Sequence, residues 1–102
     1  MPDAPATLSK PGEVHATVQI TNQRGLHARA SAKFVNAVAK LPEGTEVRVG
    51  KDGACAAGGS ILGLMMLGAA RGDDIEIHVC GPHADAVLAK LVGLVKDGFG
   101  ED

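Results

Sequence analysis

Three segments of this chain alternate apolar and polar residues with a period of two, and each presents a single apolar face. Val14, Ala16, Val18 and Ile20 alternate with His15, Thr17 and Gln19. Residues 45–49 alternate again, and Ile75, Ile77 and Val79 alternate with Glu76, His78 and Cys80. A strand with one apolar face needs cover on that side only, so the helices of such a chain belong on one side of one sheet.

The intervening segments supply those helices. From 28 to 40 the residues favour helix, with Phe34, Ala37, Val38 and Leu41 in one stripe and Pro42 and Gly44 ending it. Lys51-Asp52-Gly53 reads as a hairpin turn into a short further strand. Ser60 is a good N-cap for a helix in which Ile61, Leu64 and Leu67 share a face, and Gly68 and Arg71-Gly72 stop it. Pro82 opens the last helix, whose stripe is Val87, Leu88, Leu91, Leu94 and Val95, and Gly98 is its C-terminal cap. The predicted fold is α+β, an open-faced β-sandwich in the order βαββαβα. It has a four-stranded antiparallel sheet with three helices on one face. Residues 1–12, rich in Pro and Ala, read as a flexible tail without a targeting role, and 13–102 as a single domain.

At 102 residues the chain suits one domain, and its 45% hydrophobic content excludes intrinsic disorder. Ten Lys and Arg against twelve Asp and Glu give a net charge of −2, which argues against nucleic-acid binding and a polybasic membrane anchor. With two Phe and no Trp or Tyr, a base-stacking platform is excluded too. Cys55 and Cys80 suit a reducing cytoplasm as small packing residues. Residues 54–70 carry no charge, but the stretch falls short of the ~20 residues of a membrane span and is broken by Gly58, Gly59, Gly63 and Gly68. No membrane insertion is expected; an apolar surface is.

The sharpest local feature is Gly25-Leu26-His27-Ala28-Arg29, where a loop becomes a helix. A histidine there lies near free backbone N–H groups and the positive end of the helix dipole. That field disfavours imidazolium and leaves a ring nitrogen able to attack an electrophile, while the same N–H groups suit a phosphate. Arg29 can add charge-assisted hydrogen bonds. From spacing alone, a histidine that simply caps the helix is the favoured reading.

Gly25-Leu26-His27-Ala28-Arg29-Ala30-Ser31-Ala32-Lys33-Phe34, followed by Gly59-Ser60-Ile61-Leu62-Gly63-Leu64-Met65-Met66-Leu67 and Gly72-Asp73, resembles the histidine-containing phosphocarrier family, HPr, of the phosphoenolpyruvate-dependent phosphotransferase system. The resemblance spans residues 14–101. It implies the same open-faced sandwich, and a cytoplasmic, monomeric relay protein rather than an enzyme turning over substrate alone. It implies that His27 takes a phosphoryl group on Nδ1 from phosphorylated Enzyme I and passes it to an Enzyme IIA-type acceptor. Arg29 then supports the phosphate, and no cofactor or metal takes part. Family members usually carry proline where this chain has Ala30, so the first helical turn is expected to be less rigid, with an effect on transfer rate or partner choice.

Ser60 matches the family's regulatory serine, which HPr kinase/phosphorylase modifies in many bacteria; as an N-cap it can serve both roles. Ala30, Ile61, Leu62, Met65 and Met66 match the docking patch, and methionines suit a surface that meets several partners. The paired Met65-Met66 and the alanine at 30 look more like the nitrogen-related branch. The runner-up function is therefore a regulatory interaction protein whose phosphorylation state is read by its partners. A third reading, metal binding by His78, Cys80 and His83, lacks a visible fourth ligand. His15, on the outward face of the first strand, is expected to meet water.

Overall fold

The computed structural model describes residues 12–101; apart from Gly12, the expected tail lies outside the described residues, as does Asp102. The elements are β1 (Val14–Gln19), α1 (Ala28–Ala39), β2 (Glu46–Lys51), β3 (Ala54–Ala57), α2 (Ile61–Met66), β4 (Asp74–Cys80) and α3 (Ala84–Lys96). This is the βαββαβα order that the periodicities predict. A 3-10 turn at Gly98–Gly100 follows, which they do not.

The four strands pair antiparallel in the order β1-β4-β2-β3. The register sets apolar residues side by side: Val14 opposite Val79 and Val18 opposite Ile75, with Val47 and Val49 of β2 opposite Val79 and Ile77. Onto this face pack Phe34 of α1, Leu64 of α2, and Val87, Leu91 and Val95 of α3, all buried. Each such side chain contributes about 1.5–3 kcal/mol relative to exposure, and a one-residue slip would turn a whole strand's set to water. At the β2–β3 hairpin Asp52 and Gly53 both have positive φ, 52° and 85°, as a tight right-twisted turn requires.

Three details depart from the sequence reading. The last helix begins at Ala84 rather than Pro82, with His83 as its N-cap in the left-handed region at φ 56°. Gly81 packs so closely on the backbone of Gly44 and Thr45 that a Cβ there would lie 2.6 Å from the Gly44 carbonyl oxygen, and the chain turns further before helix is possible. Cys55 is exposed on β3 and is no packing residue, whereas Cys80 is half-buried. The outward face of the sheet is also not uniformly wet. His15 is exposed there as expected, but His78 is buried, its ring stacked on His15 at 5.1 Å and held by Glu13 and Glu76, each 3.2 Å from a ring nitrogen. Glu13 also pairs with Arg48.

The uncharged stretch divides into β3, a loop and the six-residue α2, and no helix among the described residues is long and apolar enough to cross a membrane.

Candidate functional site

The site is built at the entry to α1. Asn22 and Gly25 close a turn, with the Gly25 N–H donating to the Asn22 carbonyl at 3.2 Å and Asn22 Nδ2 donating to the Gly25 carbonyl at 2.9 Å. Gly25 has φ +62°, and a Cβ there would stand 2.3 Å from the Ala69 carbonyl oxygen, so only glycine lets this turn rest on the loop after α2. The Leu26 N–H donates to that same carbonyl at 3.0 Å, and Leu26 is buried. Ser31, also buried, donates its hydroxyl to the Leu26 carbonyl at 3.2 Å. His27 is thus presented by a turn fixed on both sides.

His27 is the N-cap of α1: its backbone is extended, and Nδ1 accepts the Arg29 backbone N–H at 3.3 Å. Nε2 faces the carboxylate of Glu101, with oxygens at 3.2 and 3.1 Å. The ring is 24% exposed and borders an open cavity of about 470 Å³. Arg24, Arg29 and Lys33 line that cavity with His27, three cations grouped around one ring. The Glu101 carboxylate lines it too; the hydrogen-bond donors of the three cations, added to the N–H groups of the helix start, are of the kind that suits an anion such as a phosphoryl group. The His27 hydrogen bond holds the Glu101 carboxyl below the usual carboxylate range; burial opposes it, while the Asn22 hydrogen bond and the charges of His27 and Lys33 reinforce it.

Of the residues singled out in the sequence, His27 and Arg29 meet here. Ala30 does not belong to the docking surface: it is wholly buried against the core, because the third residue of α1 faces inward. Ser60 lies at the start of α2, where its hydroxyl accepts the Gly63 N–H at 2.9 Å, an N-cap as expected. Ile61, Leu62, Met65 and Met66 are exposed large apolar side chains, at 41, 67, 40 and 76%, while Leu64 between them is buried. The helix that carries this apolar surface packs against α1, the helix that His27 caps. Among the described residues no group of three or more His, Cys, Asp or Glu is placed to hold a metal, and the ring nitrogens of His78 meet Glu13 and Glu76 instead.

Arg24, Lys33 and Glu101 escaped the sequence reading. Arg24 was visible as one more cation three residues before His27. Lys33 lies two helical positions beyond the first turn, close enough for its long side chain to reach back. Glu101 is 74 residues from His27, and its only signal was the Gly-Phe-Gly run that ends the last helix.

The family model described as PTS HPr component phosphorylation site matches residues 14–97. A phosphocarrier protein HPr from Pseudomonas aeruginosa is 41% identical over 85 residues, covering 82% of this chain and 92% of the relative. A phosphocarrier protein NPr from Escherichia coli K12 is 36% identical over 92 residues, covering 87% of this chain and 98% of the relative. Among solved structures, HPr-C-His from Thermoanaerobacter tengcongensis superposes with a TM-score of 0.80 at 32% identity, covering 87% of this chain and 98% of that one.

Proposed function

The chain belongs to the HPr family of phosphocarrier proteins, and from that premise we propose that His27 is its phosphoryl acceptor, charged by phosphorylated Enzyme I and discharged to an Enzyme IIA-type protein. The observation that carries this reading is the setting of the ring: a histidine at a helix N-terminus, partly exposed, with Arg24, Arg29 and Lys33 around the cavity beside it. In the acceptance step the Nδ1 lone pair forms the new bond to phosphorus. The donor's bond to phosphorus breaks, and its electron pair leaves with the donor. The Arg29 backbone N–H, which now meets Nδ1, is placed to turn to a phosphoryl oxygen, and the three cations offset the arriving charge. Nothing in that sequence of events calls on a metal or cofactor of the carrier.

The apolar face of α2 serves as the docking surface: Leu62 and Met66 for contact area, Ile61 and Met65 at its edge. Ser60 is the control point on this reading, since a phosphate on the hydroxyl that caps α2 would add about −1.5 to −2 charges beside the patch. Relatives named HPr and NPr match at similar identity, so the proposal is for the relay itself, common to sugar uptake and nitrogen-linked control.

Incubation with labelled phosphoenolpyruvate, magnesium and the matching Enzyme I should place one acid-labile, base-stable phosphate on the chain, and His27→Ala should abolish it. Label retained by His27→Ala, or found on His15, His78 or His83, would overturn the assignment.

A further inference from the structure

Glu101 lies beyond residues 14–97, the part of the chain that the family model matches, yet its carboxylate reaches the ring of His27. A carboxylate is an acceptor only, so the hydrogen of the neutral ring belongs on Nε2, 3.1 Å from the nearer Glu101 oxygen. On the other side the Arg29 backbone N–H is a donor only, 3.3 Å from Nδ1, and it requires a lone pair there. The two contacts demand the same tautomer. It is the one whose free lone pair sits on the reacting nitrogen.

The placement of Glu101 is built rather than incidental. After α3, Phe99 is buried with φ 59°, between Gly98 and Gly100 at φ 65° and 74°. Lys33 Nζ donates to the Phe99 carbonyl at 2.7 Å, which ties this turn to α1. Asn22 Nδ2 donates both to the Gly25 carbonyl and, at 3.2 Å, to Glu101 Oε1, so one buried amide joins the turn before His27 to the carboxylate behind it.

We infer that Glu101 is a positioning residue for phosphoryl acceptance by His27: it fixes the Nε2–H tautomer and offsets the positive charge the ring gains when Nδ1 bonds to phosphorus. This rests on the reading of His27 as acceptor. As the N–P bond forms and the donor's bond to phosphorus breaks, the ring keeps its Nε2 hydrogen and becomes formally cationic. The Glu101 carboxylate lies beside that hydrogen. The other charged groups lining the cavity, Arg24, Arg29 and Lys33, are all cations, so Glu101 is the one lining group that can offset positive charge on the ring.

The test uses the full chain with Glu101→Gln and Glu101→Ala. The tautomer is read from the ring-nitrogen NMR shifts of neutral His27, without any phosphoryl donor, and acceptance from Enzyme I is timed separately. Wild type should hold the Nε2–H form. Glutamine, whose amide donates as well as accepts, should leave the Arg29 N–H as the one contact selecting the tautomer, so the Nδ1–H form should rise above its wild-type population. Acceptance should slow about fivefold in Glu101→Gln and about tenfold in Glu101→Ala, reflecting the weaker neutral hydrogen bond and then none. A merely structural glutamate would leave the glutamine variant like wild type in both readouts. Wild-type acceptance with unchanged rates in both variants, or an unchanged tautomer, overturns the positioning role alone. Failure of wild type to take phosphate at His27 overturns the acceptor reading and this inference with it.

Discussion

Around His27 the side chains divide by how far they come along the chain. Arg29 is two residues away on the same helical turn, and the motif alone was enough to place it at the site. Its exposed guanidinium borders the cavity, so Arg29→Ala should slow transfer about tenfold, the loss of one charge-assisted contact at a hydrated site, with melting unchanged. Unaltered transfer in both directions, followed by rapid quench, would remove it from the site. Glu101 was not legible because nothing local marks it: its role depends on Phe99 folding inward and on Asn22 bridging two distant turns. Its carboxyl titrates below the usual value of 4.5, chiefly through the His27 hydrogen bond. A carboxyl with a lowered folded-state pKa contributes stability that is complete above the unfolded value and is lost as pH falls through the folded one. Wild type should therefore be more stable than Glu101→Gln at pH 7, and the gap should close on acidification below pH 4.5. Denaturant titrations across that range check it; a gap that stays constant into acid would show that the charge is not what Glu101 contributes.

The elements α1 and α2 show where residue periodicity reads a helix well and where it does not. The stripe around Phe34 and the caps at His27 and Ser60 were visible, because helix spacing and capping chemistry are local. The inward position of Ala30 was not, since at the first turn of a helix the buried side depends on what packs behind it. For α2, with six apolar or small residues and no polar face, helical spacing still marked the Leu64 side as inward; the structure buries Leu64 and leaves Leu62, Met65 and Met66 exposed, as expected. Met65→Glu should then weaken association with Enzyme I, because the charge must be desolvated on docking, while melting moves little. Early melting with normal transfer by the folded fraction would make this side chain a core contact. Ser60→Ala should cost about 1 kcal/mol of stability by loss of the cap. Ser60→Asp should keep that cap and slow phosphorylation of His27; equal rates in the two variants would leave Ser60 a cap and nothing more.

At the scale of the molecule, one-sided strands decided the architecture. Each strand's single apolar face required one covered and one open side of the sheet, and the register of Val14, Val18, Val47 and Val49 against β4 meets that requirement. What periodicity could not give was the strand order β1-β4-β2-β3 and the polar cluster on the open face, where Glu13 and Glu76 bury His78. Both depend on which strands meet, and alternation carries no such address. The same limit applies to the site, which joins the first loop to the last turn across the whole fold. The proposed relay rests on a single atom, and phosphorus-31 and nitrogen-15 NMR of the chain charged by Enzyme I reads it directly. One phosphoramidate signal is expected, coupled to Nδ1 of His27, with the hydrogen retained on Nε2. A phosphate on Nε2, or on any other residue, would contradict it.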